Sequence, residues 1–359
     1  MKGFKVGRLK RFNRATVSAR TTIREVSNRA GVSIGTVSNV LNAPHLVSTG
    51  TRSRVLDAIA ELEYRPSRSA RSLQAQRTYL IGYRLPNPGV SPALDIFLHS
   101  LVASADEYGL EIVLFSTSTG TTDLDAYRKA IRSGDFDGLV LSETNYEDPR
   151  IDMLTEAGFP FVAFGRAIAS HPFSWVDVDG AAGMTDVVEH LVELGHRRIA
   201  LVAWPAGSES GDARVGGYLA AMAKAGLPVQ PEFMVRAEGG FEAGREVGRN
   251  LLSLRRPPTA IVTVQDDLAF GIIAAAGDHG IEVGPGVAVA GFDDSAAAAL
   301  CTPGLTSVRQ PMELVAQTLI ELLVSQLRDP ETTRTGTLLV PEVISRASTQ
   351  SSARAGDFL

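Results

Sequence analysis

The sequence predicts a small all-α head, arranged as a helix-turn-helix, joined to a larger α/β body of two similar lobes. Three observations carry this fold class: the charge changes sign near residue 77, short helical segments follow Thr22, and strand-like runs alternate with helices beyond Arg77. With 359 residues the chain is too long for one ordinary domain, so more than one folding unit is expected. Residues 1–77 hold 15 Lys and Arg against 4 Asp and Glu, whereas the remainder holds 20 against 36, giving a head of net +11 on a body of net −16. The overall charge of −5 conceals this split, which implies that only the head meets a polyanion.

Composition excludes several classes. A hydrophobic fraction of 44% with 21% charged residues is an ordinary globular balance, and no uninterrupted apolar run approaches the roughly 20 residues that cross a bilayer. Residues 1–20 carry seven Lys or Arg and no acid, but lack the apolar block of a secretory signal. Cys301 is the only cysteine, so no intrachain disulfide can form, and a cytoplasmic protein is the expectation. Residues 1–21 read as a basic, disordered extension without an assigned function.

In the head, Thr22 caps a helix whose apolar positions Ile23, Val26 and Ala30 recur at three and four residues, and Gly31 stops it. Ser33 caps a second helix. There Val37, Val40 and Leu41 share one face, while Gly35, Ser38, Asn39 and Asn42 share the other, because each residue advances about 100°. A third helix starts near Thr51, buries Val55, Ile59 and Leu62, and ends before Pro66.

In the body, the runs Tyr79 to Leu85, Glu111 to Phe115, Gly138 to Leu141 and Phe161 to Phe164 alternate with helical stretches. The alternation resumes with Ile199 to Ala203, Thr259 to Val264 and Val287 to Ala290, so two rounds of parallel α/β structure are predicted. Residues 137–165 and 258–293 both read strand, helix, Gly-containing turn, strand, an internal repeat. A ligand cleft is expected where strand ends of both lobes face each other.

A helix-turn-helix lays its second helix in the major groove, where each base pair shows a distinct set of donors and acceptors. On the outward face, Asn39 can donate and accept toward a base edge, and Thr36 and Ser38 can reach bases or phosphates. Gly35 permits close backbone approach, and Ile34 can meet a thymine methyl. The competing reading is a mere packing unit whose Ser and Asn side chains are solvated, and spacing alone does not separate the two.

The segments TIREVSNRAGVSIGTVSNVLN (22–42), TRSRVLDAIAELEYRP (51–66) and SARSL (69–73) resemble the DNA-binding head of the lactose repressor/galactose repressor family. The resemblance implies that Ile34, Gly35 and Asn39 occupy its variable base-reading positions, with Val37 and Ser38 as framework. It extends the DNA-binding set to Thr22, Ser33, Thr36, Asn42, Arg71 and Leu73. It further implies that a hinge helix near residues 67–73 pairs with its dimer mate on DNA and wedges Leu73 between base steps in the minor groove, at an unstacking cost of roughly a few kcal/mol.

HLVELGHRRIALV (190–202), ARVGGYLAAM (213–222), TAIVTVQDDLAFG (259–271), VAVAGFDD (287–294) and TPGLTSVRQP (302–311) resemble the same family's effector domain, which is similar to type I periplasmic sugar-binding proteins. The implied organisation is a head over 22–66, a hinge and linker over 67–78, an effector-binding and dimerisation domain over 79–345, and a tail over 346–359. One lobe spans about 79–178 plus 308–328, the other about 179–305 plus 336–345.

A neutral polyol needs fixed donors and acceptors, which Arg and carboxylates supply, while aromatic rings stack on its apolar face. Arg214 and Asp266 are the leading effector-binding candidates, Asp266 because a carboxylate at the end of an apolar strand is costly without a partner. Phe241, Ser208, Ser210, Arg166, Trp204 and Asp293 follow from the resemblance. Each has a structural alternative: Asp266 can cap the next helix, Arg214 can form a surface ion pair, Asp293 can end a strand, and both rings can be core. Gln265 stands where the family usually has Asn.

His190 and His196 lack the neighbours of a metal site, and no phosphate loop, nucleophile elbow, HExxH or dinucleotide fingerprint occurs. The expectation is a homodimeric transcription regulator, not an enzyme, without metal, cofactor or membrane. It binds near-palindromic double-stranded operator DNA under control of a small sugar. AFGR (163–166) and SWVDVDGAAGM (174–184) resemble members that regulate glucoside use and lean the effector toward an α-glucoside. The rivals are a purine or other metabolite effector on the same regulator, and a solute-binding protein without regulatory role.

Overall fold

The computed structural model describes residues 21–64, 77–85, 93–116 and 123–350, and the chain divides between Thr78 and Tyr79 into two compact units. Residues 1–20, the hinge residues 67–76 with Arg71 and Leu73, the side chain of Asn42, and residues 351–359 lie outside the described residues.

The head comprises α1 (Ile23–Ala30), α2 (Ile34–Asn42) and α3 (Thr49–Glu61). A reciprocal capping box starts α1: the Thr22 hydroxyl accepts from the Glu25 N–H, and the Glu25 carboxylate accepts from the Thr22 N–H at 2.7 Å. These bonds hold the Glu25 carboxyl below its usual pKa. Gly31 closes the helix at φ 64°, a left-handed conformation that glycine adopts without a Cβ penalty. Ser33 accepts from the Thr36 N–H and starts α2, while α3 begins at Thr49, two residues before the expected start. Val26, Val37 and Val55 are wholly buried at the centre, each contributing about 1.5–3 kcal/mol.

The body holds two six-stranded sheets. The first contains β1 (Leu80–Arg84), β2 (Glu111–Phe115), β3 (Gly138–Leu141), β4 (Phe161–Phe164) and β5 (Ser174–Val178), with α4 (Ala93–Glu107), α5 (Asp123–Ser133) and α6 (Pro149–Glu156) between them. The second contains β6 (Ile199–Ala203), β7 (Met234–Arg236), β8 (Ala260–Thr263), β9 (Ala288–Asp293) and β10 (Thr306–Arg309). Its helices are α7 (Gly180–Glu193), α8 (Glu209–Lys224), α9 (Phe241–Leu252), α10 (Asp266–Asp278) and α11 (Ala296–Leu300). Helix α12 (Met312–Arg328) and strands β11 (Gly336–Leu339) and β12 (Glu342–Ile344) follow.

Strand order is β11-β5-β4-β3-β1-β2 in one sheet and β12-β10-β9-β8-β6-β7 in the other, the same pattern twice. All pairs are parallel except β10 with β12, and the central strands read as unbroken apolar runs because helices cover both faces. On the first sheet Ile81, Val140 and Val162 face α4 and α12, while Leu139, Leu141 and Ala163 face Tyr127 and Ile151. Each sheet reverses its order beside its first strand, at the β1/β3 and β6/β8 junctions, where open α/β sheets bind ligands at their carboxyl ends.

The expected lobe boundaries need correction. Thr306–Arg309 pairs with β9 in the second sheet, Gly336–Leu339 pairs with β5 in the first, and only Glu342–Ile344 returns to the second. The chain therefore passes between lobes three times, after Val178, Arg309 and Leu339. The first residues of the expected tail pack on the second lobe: Ser348 and Thr349 are buried, and the Ser348 hydroxyl donates to the Val289 carbonyl at 2.6 Å.

Close helix packing in the second lobe depends on glycine. A Cβ on Gly217 would overlap the Ala181 carbonyl of α7, whereas one on neighbouring Gly216 meets nothing within 4 Å. Gly217→Ala is expected to lower the urea unfolding free energy of the body by about 1–3 kcal/mol. Gly216→Ala in the same helix should leave it unchanged or raise it, and equal loss in both variants would contradict this packing.

Candidate functional site

In the head the exposed face of α2 presents Ser33, Ile34, Gly35 and Asn39, with Thr36 and Ser38 half-buried. Two predicted DNA contacts are used internally: the Thr22 hydroxyl serves the capping box, and Ser33 accepts from the Thr36 N–H at 3.1 Å while its hydroxyl lies 2.9 Å from that of Thr36. Ile34, Gly35 and Asn39 keep their groups outward.

In the body the site grows from the β6/β8 junction. Trp204 directly follows β6, and Gln265 follows β8 as the residue before α10. Arg214, on α8, is only 6% exposed and donates through Nη1 to the Val264 carbonyl at 2.5 Å. Its guanidinium carbon lies 3.7 Å from the centre of the Phe292 ring and 4.8 Å from that of Trp204, so two aromatic faces hold the cation. Burial pulls the Arg214 pKa down, opposed by the charges of Asp293 and Asp177. Gly180 makes room for this side chain, since a Cβ there would crowd its Cγ at 2.8 Å.

The Trp204 indole N–H donates to Gln265 Oε1 at 2.6 Å, which fixes the carboxamide with its Nε2 turned away from that bond. Arg214 Nε and Gln265 Nε2 are both buried without a hydrogen-bond partner. An unmet buried donor costs about 1–3 kcal/mol. Asp293, at the end of β9 with φ 115°, accepts from Gln310 Nε2 at 2.5 Å.

In the first lobe the Tyr83 hydroxyl lies 3.1 Å from that of Ser142, and Arg84 donates to Glu143 at 2.8 Å. The lobes touch through polar groups. Asp177 on β5 accepts from Arg166 Nε at 2.9 Å and from the Ser210 hydroxyl at 3.1 Å, and Arg166 also pairs with Glu209 at 3.3 Å. The Tyr146 hydroxyl donates to Asp212 at 3.1 Å.

The sequence candidates thus separate. Arg214, Trp204 and Asp293 gather around the unmet donors, Arg166 and Ser210 form the inter-lobe bridge, Ser208 caps α8 by accepting from the Gly211 N–H, and Phe241 opens α9 at 42% exposure. Asp266 requires correction. It is wholly buried, and accepts from the Ser295 N–H at 2.7 Å, the Ser295 hydroxyl at 2.8 Å and the Ser307 hydroxyl at 2.5 Å, so it braces β9 and β10 from within the lobe. It is not the cap of α10 either, a place taken by Gln265. Sequence reasoning missed Gln265, Phe292, Asp177 and Gln310; the substitution at 265 was the one available signal.

No helix among the described residues is long and apolar enough to cross a membrane, and no cluster among them could hold a metal ion. A family model described as bacterial regulatory proteins, lacI family, matches residues 22–67, and a periplasmic binding protein-like domain matches residues 188–349. The transcriptional regulator CelR of Thermobifida fusca is 32% identical over 86% of this chain and 92% of its own. The repressor PurR of Yersinia pestis is 31% identical over 87% of this chain and 93% of its own. Among solved structures, a regulatory protein of the LacI family from Chloroflexus aggregans has 43% identity and a TM-score of 0.70 over 76% of this chain and 99% of its own. A CelR–cellobiose complex has 30% identity and a TM-score of 0.71, and the lac repressor dimer bound to operator and an anti-inducer has 26% and 0.77. Each of these two covers 92% of this chain and 100% of its own.

Burial raises the Asp266 pKa to about 6, above its ordinary 3.8. The folded chain therefore keeps a proton that the unfolded chain loses between about pH 4 and 6, so stability from this group is full below that window and falls as pH rises through it. Asp266→Asn retains an acceptor for the Ser295 N–H and should flatten the decline of the urea midpoint across that window. An unchanged slope would show that Asp266 does not titrate there.

Proposed function

The chain belongs to the lacI family of bacterial regulatory proteins, and from that premise we propose that it is a homodimeric repressor of carbohydrate-use genes whose effector is a small sugar. It is a DNA-binding regulator, not an enzyme, and a small molecule controls its operator affinity. The sugar reading rests on the pair of unmet buried donors, Arg214 Nε and Gln265 Nε2, set beside the Trp204 ring. Hydroxyl and ring oxygens satisfy such donors, and an aromatic face suits the C–H face of a pyranose.

The glucoside class is favoured by AFGR (163–166) and SWVDVDGAAGM (174–184), which lean toward an α-glucoside, and by the cellobiose held by the CelR relative. Dimeric binding to a near-palindromic operator follows the lac repressor dimer, each α2 entering one major groove and the hinge residues Arg71 and Leu73 meeting the centre. Effector in the cleft sets the lobes through the bridge of Arg166, Asp177 and Ser210. That coupling requires unequal ligand affinity for the two states, by about 1–3 kcal/mol.

Thermal shift and operator titration with maltose, trehalose, cellobiose and, as contrast, hypoxanthine and guanine test this reading. A glucoside should raise the melting temperature and weaken operator binding, while Arg214→Met and Gln265→Leu keep operator affinity and lose the response. Stabilisation by a nucleobase alone would replace the sugar with a purine effector.

A further inference from the structure

Resting on the reading of the body as a small-molecule sensor, we propose that Tyr146 is a latch that holds the two lobes closed and sets how long the cleft retains its effector. Tyr146 lies on the segment between β3 and α6 of the first lobe. Its N–H donates to the Gly207 carbonyl at 3.4 Å and its hydroxyl donates to Asp212 Oδ2 at 3.1 Å, so one residue makes two bonds across the lobes.

These bonds differ from the bridge at Asp177. Asp177 stands one residue before Val178, where the chain itself passes between the lobes, so covalent structure keeps that bridge together. Tyr146, Gly207 and Asp212 lie on none of the three passages, and lobes that part there must break the contact. A hydroxyl donating to an ionised carboxylate is among the stronger hydrogen bonds. Partial burial, the bond to Asp212 and the charges of Asp212 and Glu209 push the Tyr146 pKa up, so the phenol keeps the proton it donates.

Both ends of the latch are anchored. On the first lobe the Tyr146 carbonyl accepts from the Ile168 N–H at 2.6 Å, and the Thr144 hydroxyl donates to the Arg166 carbonyl at 3.0 Å, which ties the latch segment to the one after β4. On the second lobe Arg236 pairs with Asp212 through Nη2 at 3.5 Å and donates through Nη1 to the Trp204 carbonyl at 2.7 Å. Trp204 in turn holds the Gln265 carboxamide at 2.6 Å and lies against the Arg214 guanidinium. A path of polar contacts therefore runs from Tyr146 through Asp212 and Arg236 to the residue that orders the Arg214 cluster.

The test uses the full-length protein. Without added sugar, Tyr146→Phe should speed amide hydrogen exchange about tenfold in residues 144–148 and 205–212, segments of opposite lobes, and leave β1 and β8 unchanged. Asp212→Ala should do the same, while Asp212→Asn, which keeps an acceptor, should do so less. The double variant Tyr146→Phe with Asp212→Ala should exceed neither single one. With cellobiose and maltose as probes, stopped-flow dissociation should quicken about tenfold in Tyr146→Phe, with association changed by no more than about twofold. Wild-type exchange rates at 205–212, additive effects in the double variant, or an unchanged dissociation rate overturns the latch. Binding of neither sugar by the wild-type protein overturns the sugar reading instead, and the exchange measurements then decide the latch by themselves.

Discussion

The carboxyl end of the second sheet is organised around one of the body's buried cations, Arg214. A guanidinium taken out of water costs several kcal/mol unless its surroundings compensate, and Arg214 is compensated from several directions: the Val264 carbonyl, the rings of Phe292 and Trp204, and the charges of Asp293 and Asp177. The compensating groups come from four places along the chain. Val264 follows β8, Trp204 follows β6, Phe292 and Asp293 lie on β9, and Asp177 lies on β5 of the other lobe. Holding the cation therefore fixes the carboxyl ends of the second sheet and ties them to the first. Its Nε is buried without a hydrogen-bond partner.

Around this centre, repetition and crossing give the body its two-lobed mechanics. Both sheets share one strand order with one order reversal each, and three passages of chain join the lobes. The polar bridge from Arg166 through Asp177 to Ser210 and Glu209 joins the lobes, and the charge of Asp177 also acts on Arg214. Asp266 contributes differently. By holding Ser295 and Ser307 it keeps β9 and β10 in register, which positions Asp293 and Gln310 without facing the cleft.

Local signals were legible in the sequence, and long-range ones were not. Thr22, Gly31 and Ser33 marked helix ends because capping acts within three residues, and the runs at 111–115, 138–141, 161–164 and 199–203 marked strands because parallel strands covered on both faces are continuously apolar. The placement of 306–309, 336–339 and 342–344 depends on which sheet edge a returning chain reaches, and nothing in a four-residue run encodes that. The same limit explains the site. Arg214 was found, but Gln265 and Asp266 are adjacent polar residues whose duties are decided by distant partners, Trp204 for one and Ser295 with Ser307 for the other. Thr22 and Ser33 both cap helices, as their residue types and positions predict.

Control of operator affinity by a small molecule requires one equilibrium shared by effector and operator binding, and linkage makes such coupling equal in both directions. The most direct measurement is effector affinity by calorimetry, with and without saturating operator duplex, set against operator affinity with and without saturating effector. The same ratio is expected from both pairs, roughly 5- to 150-fold. An effector that binds at the Arg214 cluster with identical affinity whether or not operator is present would contradict it.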